Sequence, residues 1–155
     1  MNAVLISIQP KWCELIASGK KTVEVRKTKP KMATPFKVYI YQTLHRENNG
    51  RTYSDGKVIG EFVCDRIRCE HEIADGLVDI GLEKTSCLGA RELVEYANGK
   101  VLYSWHISDL VIYDKPKGLG KFKHCGANYH YNPTITRPPQ SWCYVEEGAT
   151  DGKAD

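Results

Sequence analysis

The stretch GKKTVEVRK, Gly19–Lys27, decides the expected fold of this 155-residue chain. It follows the apolar segment AVLISI (Ala3–Ile8), which predicts a buried β-strand. Between them, Pro10 and Gly19 mark the beginning and end of a short amphipathic helix. Thr22–Lys27 predicts the next strand, so the chain opens with the order strand, helix, strand.

The second strand places alternate residues on opposite faces of a sheet. Val23 and Val25 suit an apolar core, whereas Glu24 and Arg26 share the face that a ligand can reach. A carboxylate beside a guanidinium can bind a polar, anionic ligand or position a water molecule. The alternative is a solvated strand with one surface ion pair, which would contribute only about 0–1 kcal/mol.

The order of these elements resembles the ASCH domain, a member of the PUA-like superfamily. Its hallmark G-x-K-x-x-E-x-R is matched without a gap by Gly19, Lys21, Glu24 and Arg26. The preceding L-S-I-x-P element is similar at Leu5, Ser7, Ile8 and Pro10. The segment TRPPQSWCYVEE, Thr136–Glu147, looks like the closing strand of bacterial and phage members. The resemblance therefore extends over residues 3–147.

The rest of the chain predicts further strands and one more helix. The predicted strands are Phe36–Thr43, Lys57–Cys69, Val101–Tyr113 and Ser141–Glu146, and the predicted helix is Ser86–Gly99. Many short strands with few helices favour a compact α+β barrel. The ASCH resemblance implies a PUA-like β-pseudobarrel of five to seven mostly antiparallel strands with two or three helices. We expect one domain over residues 1–147 and a polar tail over residues 148–155.

The composition, 41% hydrophobic and 26% charged, is typical of a soluble globular protein. No apolar run approaches the ~20 residues of a membrane helix, and the N-terminal run is too short for a signal peptide. We therefore expect a cytoplasmic protein without a membrane partner. The six cysteines form no C-x-x-C pair, and Cys64, Cys69 and His71 lack the spacing of a zinc site. Free thiols, no metal and no cofactor are predicted.

Positive charge is concentrated in two parts of the chain. Residues 1–37 carry a net charge of +6, and no acidic residue occurs in residues 115–145. The second segment contains Lys115, Lys117, Lys121, Lys123 and Arg137, interleaved with Phe122, Tyr129, His130 and Tyr131. This pattern indicates a surface for an anionic partner, although a solubilising surface or a packed cover would give the same pattern.

These observations predict a basic cleft that holds a strand or a base of nucleic acid. The expected binding residues are Lys20, Lys21, Glu24, Arg26, Lys27, Tyr41 and Trp142. Arg26 offers a planar fork for a phosphate or a base edge, and Glu24 can accept from an exocyclic amine. Glu24 can also simply hold Arg26 in place. Tyr41 and Trp142 suit base stacking, but cross-strand packing explains them equally well.

The ASCH resemblance also implies two hydrolase alternatives. Family members that remove an acyl group from N4-acylated cytidine pair a Lys at the position of Lys21 with a Thr at the position of Glu24. This chain lacks that hydroxyl nucleophile, so Glu24 would instead activate water as a general base. A ribonuclease would use Lys21, Glu24 and Arg26 as acid, base and phosphate stabiliser. We favour a binding domain for RNA, another single strand or a modified nucleoside; the sequence identifies no protein partner.

Overall fold

The structure, a computed structural model, describes residues 2–45, 47–51, 56–126, 129 and 132–148. The strands are β1 (Asn2–Ile8), β2 (Val23–Arg26), β3 (Phe36–Gln42), β4 (Lys57–Glu70), β5 (Leu102–Lys117) and β6 (Trp142–Glu146). The helices are α1 (Pro10–Ala17), α2 (Ile80–Ser86) and α3 (Ala90–Ala97), with 3-10 turns at His71–Asp75 and Leu119–Lys121. In this described part of the chain, no helix has the length and apolarity to cross a membrane.

The strands form a mostly antiparallel sheet in the order β2-β5-β4-β3-β1-β6. β1 runs parallel to β3, with Ile6 opposite Ile40, and antiparallel to β6, with Ala3 opposite Val145. The predicted α+β fold class, with five to seven mostly antiparallel strands and two or three helices, is confirmed in the described residues. The predicted barrel is corrected, because the strand order is linear and the sheet is open, with β2 and β6 at its ends.

The chain divides into two compact units. The first unit comprises the described residues of Met1–Cys13, Phe36–Phe62 and Leu110–Asp155, and the second comprises Glu14–Pro35 and Val63–Asp109. The core of the first unit contains Ala3, Leu5, Tyr39, Tyr41, Val58, Phe122, Ile135 and Val145. The core of the second unit contains Val23, Val25, Ile73, Leu82, Leu93, Ala97 and Leu102. Residues 149–155 of the predicted tail lie outside the described residues.

The helix that precedes β2 has the predicted limits. α1 begins at Pro10 and ends at Ala17, and Gly19 follows with a φ of 80°. This left-handed conformation is favourable for glycine and stops the helix before β2. The hydrogen bond from the backbone N–H of Lys21 to the carbonyl of Leu15, 3.0 Å long, then turns the chain towards β2.

The helix predicted over Ser86–Gly99 is wrong in its first part. Ser86 is the last residue of α2, and α3 begins only at Ala90. Cys87, with a φ of 59°, is the left-handed residue that ends α2. Gly89 caps the next helix, where its N–H lies 3.5 Å from the carboxylate of Glu92. The break places the Ser86 carbonyl and Cys87 beside the GKKTVEVRK stretch, where they contact Lys21 and Lys20.

Candidate functional site

β2 and β5 form the antiparallel pair on which the hallmark residues lie. Glu24 is opposite Trp105, and Arg26 is opposite Tyr103, so these four residues share one face. The two valines of β2 lie on the other face, in the core of the second unit. The alternation predicted from the sequence is confirmed. We refer to the surface around these four residues as the Glu24 face.

Glu24 and Arg26 form an ion pair that is almost closed off from solvent. Nε of Arg26 lies 3.4 Å from Oε1 of Glu24, and the two side chains are 12% and 9% exposed. The alternative of a solvated surface pair is therefore wrong. Within the described segments, the buried Oε2 of Glu24 has no hydrogen-bond partner. Only Oε1 of Glu24 is needed to hold Arg26 in place, so that role does not explain why Oε2 is buried without a donor.

Lys21 is buried rather than reachable, with only 2% of its surface exposed. Its Nζ donates to the carbonyl oxygen of Ser86 over 2.5 Å. Burial lowers the pKa of Lys21, because desolvation penalises the ammonium; Glu24 and Cys87 partly oppose this effect, and Arg26 adds to it. Lys21 is therefore a desolvated amine in electrostatic contact with both hallmark partners, not a free point charge for a polymer.

Tyr96 of α3 belongs to the same site. Burial raises the pKa of its hydroxyl, while Arg26 lowers it and Glu24 raises it further. The side chain is still 37% exposed, and Nζ of Lys27 lies 4.8 Å from the centroid of its ring. A half-exposed aromatic ring beside a buried carboxylate and a guanidinium provides a surface on which a base can stack.

Exposed lysines flank the Glu24 face. Lys20 lies three residues before β2, and Lys27, Lys29 and Lys31 follow the strand; all four are exposed. Nζ of Lys29 lies 5.6 Å from the ring centroid of Tyr103, the cross-strand partner of Arg26. The predicted residues Lys20 and Lys27 therefore lie at the two ends of the strand that carries Glu24. This arrangement suits a phosphate backbone that runs past the site.

The remaining predicted aromatics belong to the first unit. Tyr41 is 6% exposed and packs in the core of that unit, which favours the packing interpretation over stacking. Trp142 is half-buried and meets Tyr144 edge to face, with ring centroids 5.3 Å apart. The structure thus brings five of the seven predicted residues together in the second unit. Tyr41 and Trp142 are not part of that group.

The acid-free segment has a mixed structure. Phe122 is fully buried in the core of the first unit, whereas Tyr129 is 41% exposed and stacks on His124 at 4.2 Å. Lys121 and Lys123 are exposed. His130 and Tyr131 lie outside the described residues. For Phe122, the packed-cover interpretation is therefore the correct one.

Sequence reasoning missed Tyr96, Trp105 and the Ser86 carbonyl. For Tyr96 a local signal exists, because it lies three residues after the buried Leu93 and so at the edge of the apolar face of α3. The pairing of Trp105 with Glu24 depends on strand register and carries no local signal. None of the six cysteines forms a disulfide, and no group of three metal-ligating side chains occurs in the segments described.

Comparison with known proteins places the chain in a family. The sequence model of the ASCH domain matches residues 6–113. The crystal structure of ASCH from Zymomonas mobilis superposes with a TM-score of 0.69 at 23% identity, covering 96% of this chain and 90% of that chain. Two crystal structures of mutants of that protein give TM-scores of 0.66 at 22% identity and cover 96% of this chain and 93% and 91% of theirs. No curated protein matches the sequence. Because the family match spans more than half of the residues and includes the whole hallmark, the chain belongs to the ASCH domain family.

Proposed function

We propose that this ASCH domain binds nucleic acid, with single-stranded RNA as the expected polymer, by holding one base against Glu24. The observation that carries the proposal is the buried Oε2 of Glu24, which receives no hydrogen bond from the described residues. A buried carboxylate oxygen without a donor is unfavourable, and proteins retain few of them. The exocyclic amine of a base is a donor that a carboxylate accepts well.

The surroundings of Glu24 suit the rest of a nucleotide. Tyr96 offers a ring for stacking, and Arg26 offers N–H groups for an acceptor on the base edge. Lys20 and Lys27 are exposed at either end of β2, where a backbone phosphate can reach them. The buried carboxylate would therefore select the base, while the exposed lysines would contribute affinity without sequence information.

Fluorescence anisotropy with short labelled RNA and DNA strands tests the proposal. We expect micromolar or tighter binding that weakens between about 50 and 200 mM salt. Glu24→Gln should weaken it roughly tenfold, because an amide N–H2 replaces an acceptor with a donor of the same size. Glu95→Gln is the matched control, since the Glu95 side chain is 68% exposed on α3. Equal affinity for both variants would contradict a base-binding role of Glu24.

A second candidate is a hydrolase that acts on a nucleoside or RNA, and the burial of Lys21 favours it. A desolvated lysine with a lowered pKa next to a carboxylate is a common feature of catalytic sites. For an N4-acylated cytidine, Glu24 would take a proton from water as the hydroxide attacks the acyl carbon. The C–N bond then breaks, and the Lys21 ammonium returns a proton to the leaving amine, which gives a carboxylic acid and cytidine.

Turnover distinguishes the two candidates. N4-acetylcytidine and RNA are incubated with the purified protein, and products are followed by liquid chromatography. Release of cytidine or cleaved RNA that is lost in Lys21→Met, with the fold intact by circular dichroism, would establish the hydrolase. Binding without turnover supports the module. Absence of any polymer binding would leave the small nucleoside as the ligand to test on the Glu24 face.

A further inference from the structure

The side of the β2–β5 pair opposite the Glu24 face lines a cavity of about 230 Å3. Ser104 and His106 reach it from β5, because they pair with the two valines of β2. Arg66 and Arg68 line it from β4. A second cavity, of about 350 Å3, shares Arg68 and Glu70 as lining residues. We refer to this region as the arginine cavity.

Two guanidinium groups in the arginine cavity form no ion pair in the described segments, although Arg66 interacts electrostatically with the neighbouring Asp65. Arg66 and Arg68 are two residues apart in β4 and therefore lie on the same side of the strand. Both residues are exposed, and neither forms an ion pair with any residue of the described segments. Adjacent guanidinium forks without carboxylate partners match the geometry and charge of a phosphate group.

The acidic groups nearby are already engaged. Oγ of Ser104 donates to Oε1 of Glu70 over 2.8 Å, and Oδ1 of Asp79 accepts a backbone N–H over 2.7 Å. Oδ1 of Asp65 lies 2.6 Å from Nδ1 of His106. Each of these carboxylates thus has a hydrogen-bond partner, but the lining contains Glu70 and Asp79 beside Arg66 and Arg68 and so carries no net positive charge. An anion would be held by the two guanidinium forks themselves and not by an excess of positive charge.

His106 contributes a third contact point. Because its Nδ1 is bonded to Asp65, the nitrogen that remains for a ligand in the cavity is Nε2. That nitrogen can donate a hydrogen bond to a phosphate oxygen when it carries a proton, or accept one from the hydroxyl group of a phosphate monoanion when it does not. The second oxygens of Glu70 and Asp79 can accept from hydroxyl groups, which is what an attached ribose carries.

We infer that the arginine cavity is a second ligand site, which binds the phosphate group of a ribose phosphomonoester. Arg66 and Arg68 hold the phosphate, His106 contacts it from β5, and Glu70 faces the sugar. This site does not depend on the proposed base-binding site, because its lining residues lie on the other side of the β2–β5 pair. The phosphate can belong to a free mononucleotide or to the terminus of an RNA strand.

Isothermal titration of the full chain tests the site with three probes: inorganic phosphate, cytidine 5′-monophosphate and cytidine. We expect saturable binding of inorganic phosphate and of cytidine 5′-monophosphate. Cytidine should not bind to the Glu24→Gln variant, in which the proposed base site on the Glu24 face is disrupted. The double variant Arg66→Ala with Arg68→Ala should weaken binding of the monophosphate roughly tenfold or more. Arg91→Ala is the matched control, because the Arg91 side chain is 92% exposed outside the cavity.

The results that overturn the inference are specific. No saturable binding of phosphate or monophosphate at millimolar concentration would do so. Loss of monophosphate binding in Glu24→Gln but not in the double arginine variant would assign the ligand to the Glu24 face instead. Because both arginines are exposed, the double variant should keep the thermal midpoint of the wild type, and circular dichroism checks that it folds.

A comparison of two RNA strands identifies the source of the phosphate. If the site takes a strand terminus, 5′-phosphorylated RNA binds several-fold more tightly than the same strand with a 5′-hydroxyl, and the double arginine variant abolishes this difference. If it takes a free nucleotide, the two strands bind equally while the monophosphate still binds. Both outcomes support the site. Equal affinity for the two strands, together with no detectable binding of the monophosphate, would refute it.

Discussion

The two sides of the β2–β5 pair differ in the polar groups that have no partner in the described residues. On the Glu24 face, the Glu24–Arg26 pair is about one-tenth exposed, and among the described residues the buried Oε2 of Glu24 is an acceptor without a donor. The arginine cavity is open, and the exposed Arg66 and Arg68 have no ion-pair partner in the part of the chain that the structure describes. Backbone alternation separates the two sets by a single strand layer. The two proposals therefore assign chemically opposite parts of a nucleotide to the two sides of one strand pair.

Burial also sets the cost of each arrangement. A charge that is taken out of water needs a partner, whereas an exposed guanidinium remains hydrated without one. Lys21, Glu24 and Arg26 are therefore tied to the stability of the second unit. The arginine cavity can change without much effect on folding.

The largest expected effect is on stability. Arg26→Ala leaves Glu24 buried without its cation, so we expect a loss of about 2 kcal/mol or more in the free energy of unfolding. Arg66→Ala, an exposed arginine of the other face, should change it by less than about 0.5 kcal/mol. Urea unfolding monitored by circular dichroism measures both. An equal loss of unfolding free energy in Arg26→Ala and Arg66→Ala would show that the two faces do not differ in their contribution to stability.

A double variant identifies the cause of that loss. Glu24→Leu with Arg26→Met removes both charges while it keeps similar volumes, so most of the lost stability should return. If the double variant is as unstable as Arg26→Ala, lost packing rather than an unpaired charge is responsible. Its binding to RNA should nevertheless be weaker than that of Glu24→Gln, because the acceptor and the guanidinium are both missing and only the exposed lysines remain.

The second prediction concerns salt. Lys20→Ala and Lys27→Ala should each reduce the slope of log affinity against log salt by about 1, since each removes one phosphate contact. Glu24→Gln should weaken binding by a similar or larger factor and leave the slope unchanged, because the base contact releases no counterions. Anisotropy titrations at four salt concentrations provide the slopes. A changed slope in Glu24→Gln would mean that Glu24 acts through the backbone.

The third prediction uses thiols as reporters of the two faces. Cys87 interacts electrostatically with Lys21 of the Glu24 face, and Cys69 lines the arginine cavity. Bound RNA should slow alkylation of Cys87 several-fold, and cytidine monophosphate should slow alkylation of Cys69. Iodoacetamide labelling followed by mass spectrometry measures each rate. Protection of the same cysteine by both ligands would indicate one site rather than two.

Cys64 is the internal control for this labelling. Burial raises its pKa to about 12, and its side chain is inaccessible. At about pH 8 almost none of it is thiolate, so it should remain unlabelled with and without ligand. Labelling of Cys64 under these conditions would show that the second unit opens during the experiment, and the protection data would then need a shorter reaction time.

Local sequence predicted the strand that carries the Glu24 face. The period of two in Val23, Glu24, Val25 and Arg26 depends only on the backbone of one strand. The stop at Gly19 depends on a single residue with a left-handed φ. The family resemblance rests on the same short stretch, and for this reason the fold class could be predicted while its closure into a barrel could not. Closure depends on how the end strands pair, which is a property of the whole sheet.

The rest of the site required contacts that are distant in sequence. Lys21 is bonded to a carbonyl 65 residues away, and this carbonyl is available only because α2 ends at Cys87. The sequence between Ser86 and Gly99 has the periodicity of one helix and does not indicate that break. The arginine cavity was missed for a similar reason. Arg66 and Arg68 are ordinary exposed strand residues until the register places His106 beside them.

The smallest expected effect concerns the Asp65–His106 pair at the arginine cavity. The hydrogen bond from His106 lowers the pKa of Asp65 below its usual value of 3.8. A lowered carboxyl pKa contributes stability above pH 3.8 that is lost as the pH falls through the folded-state pKa. Asp65 is 43% exposed, so solvent screening keeps the contribution below about 1 kcal/mol. Urea unfolding of Asp65→Asn and wild type should differ by that small amount near pH 6 and converge in acid. A larger difference, or one that persists in acid, would mean that Asp65 supports the fold of the cavity wall and not only the orientation of His106.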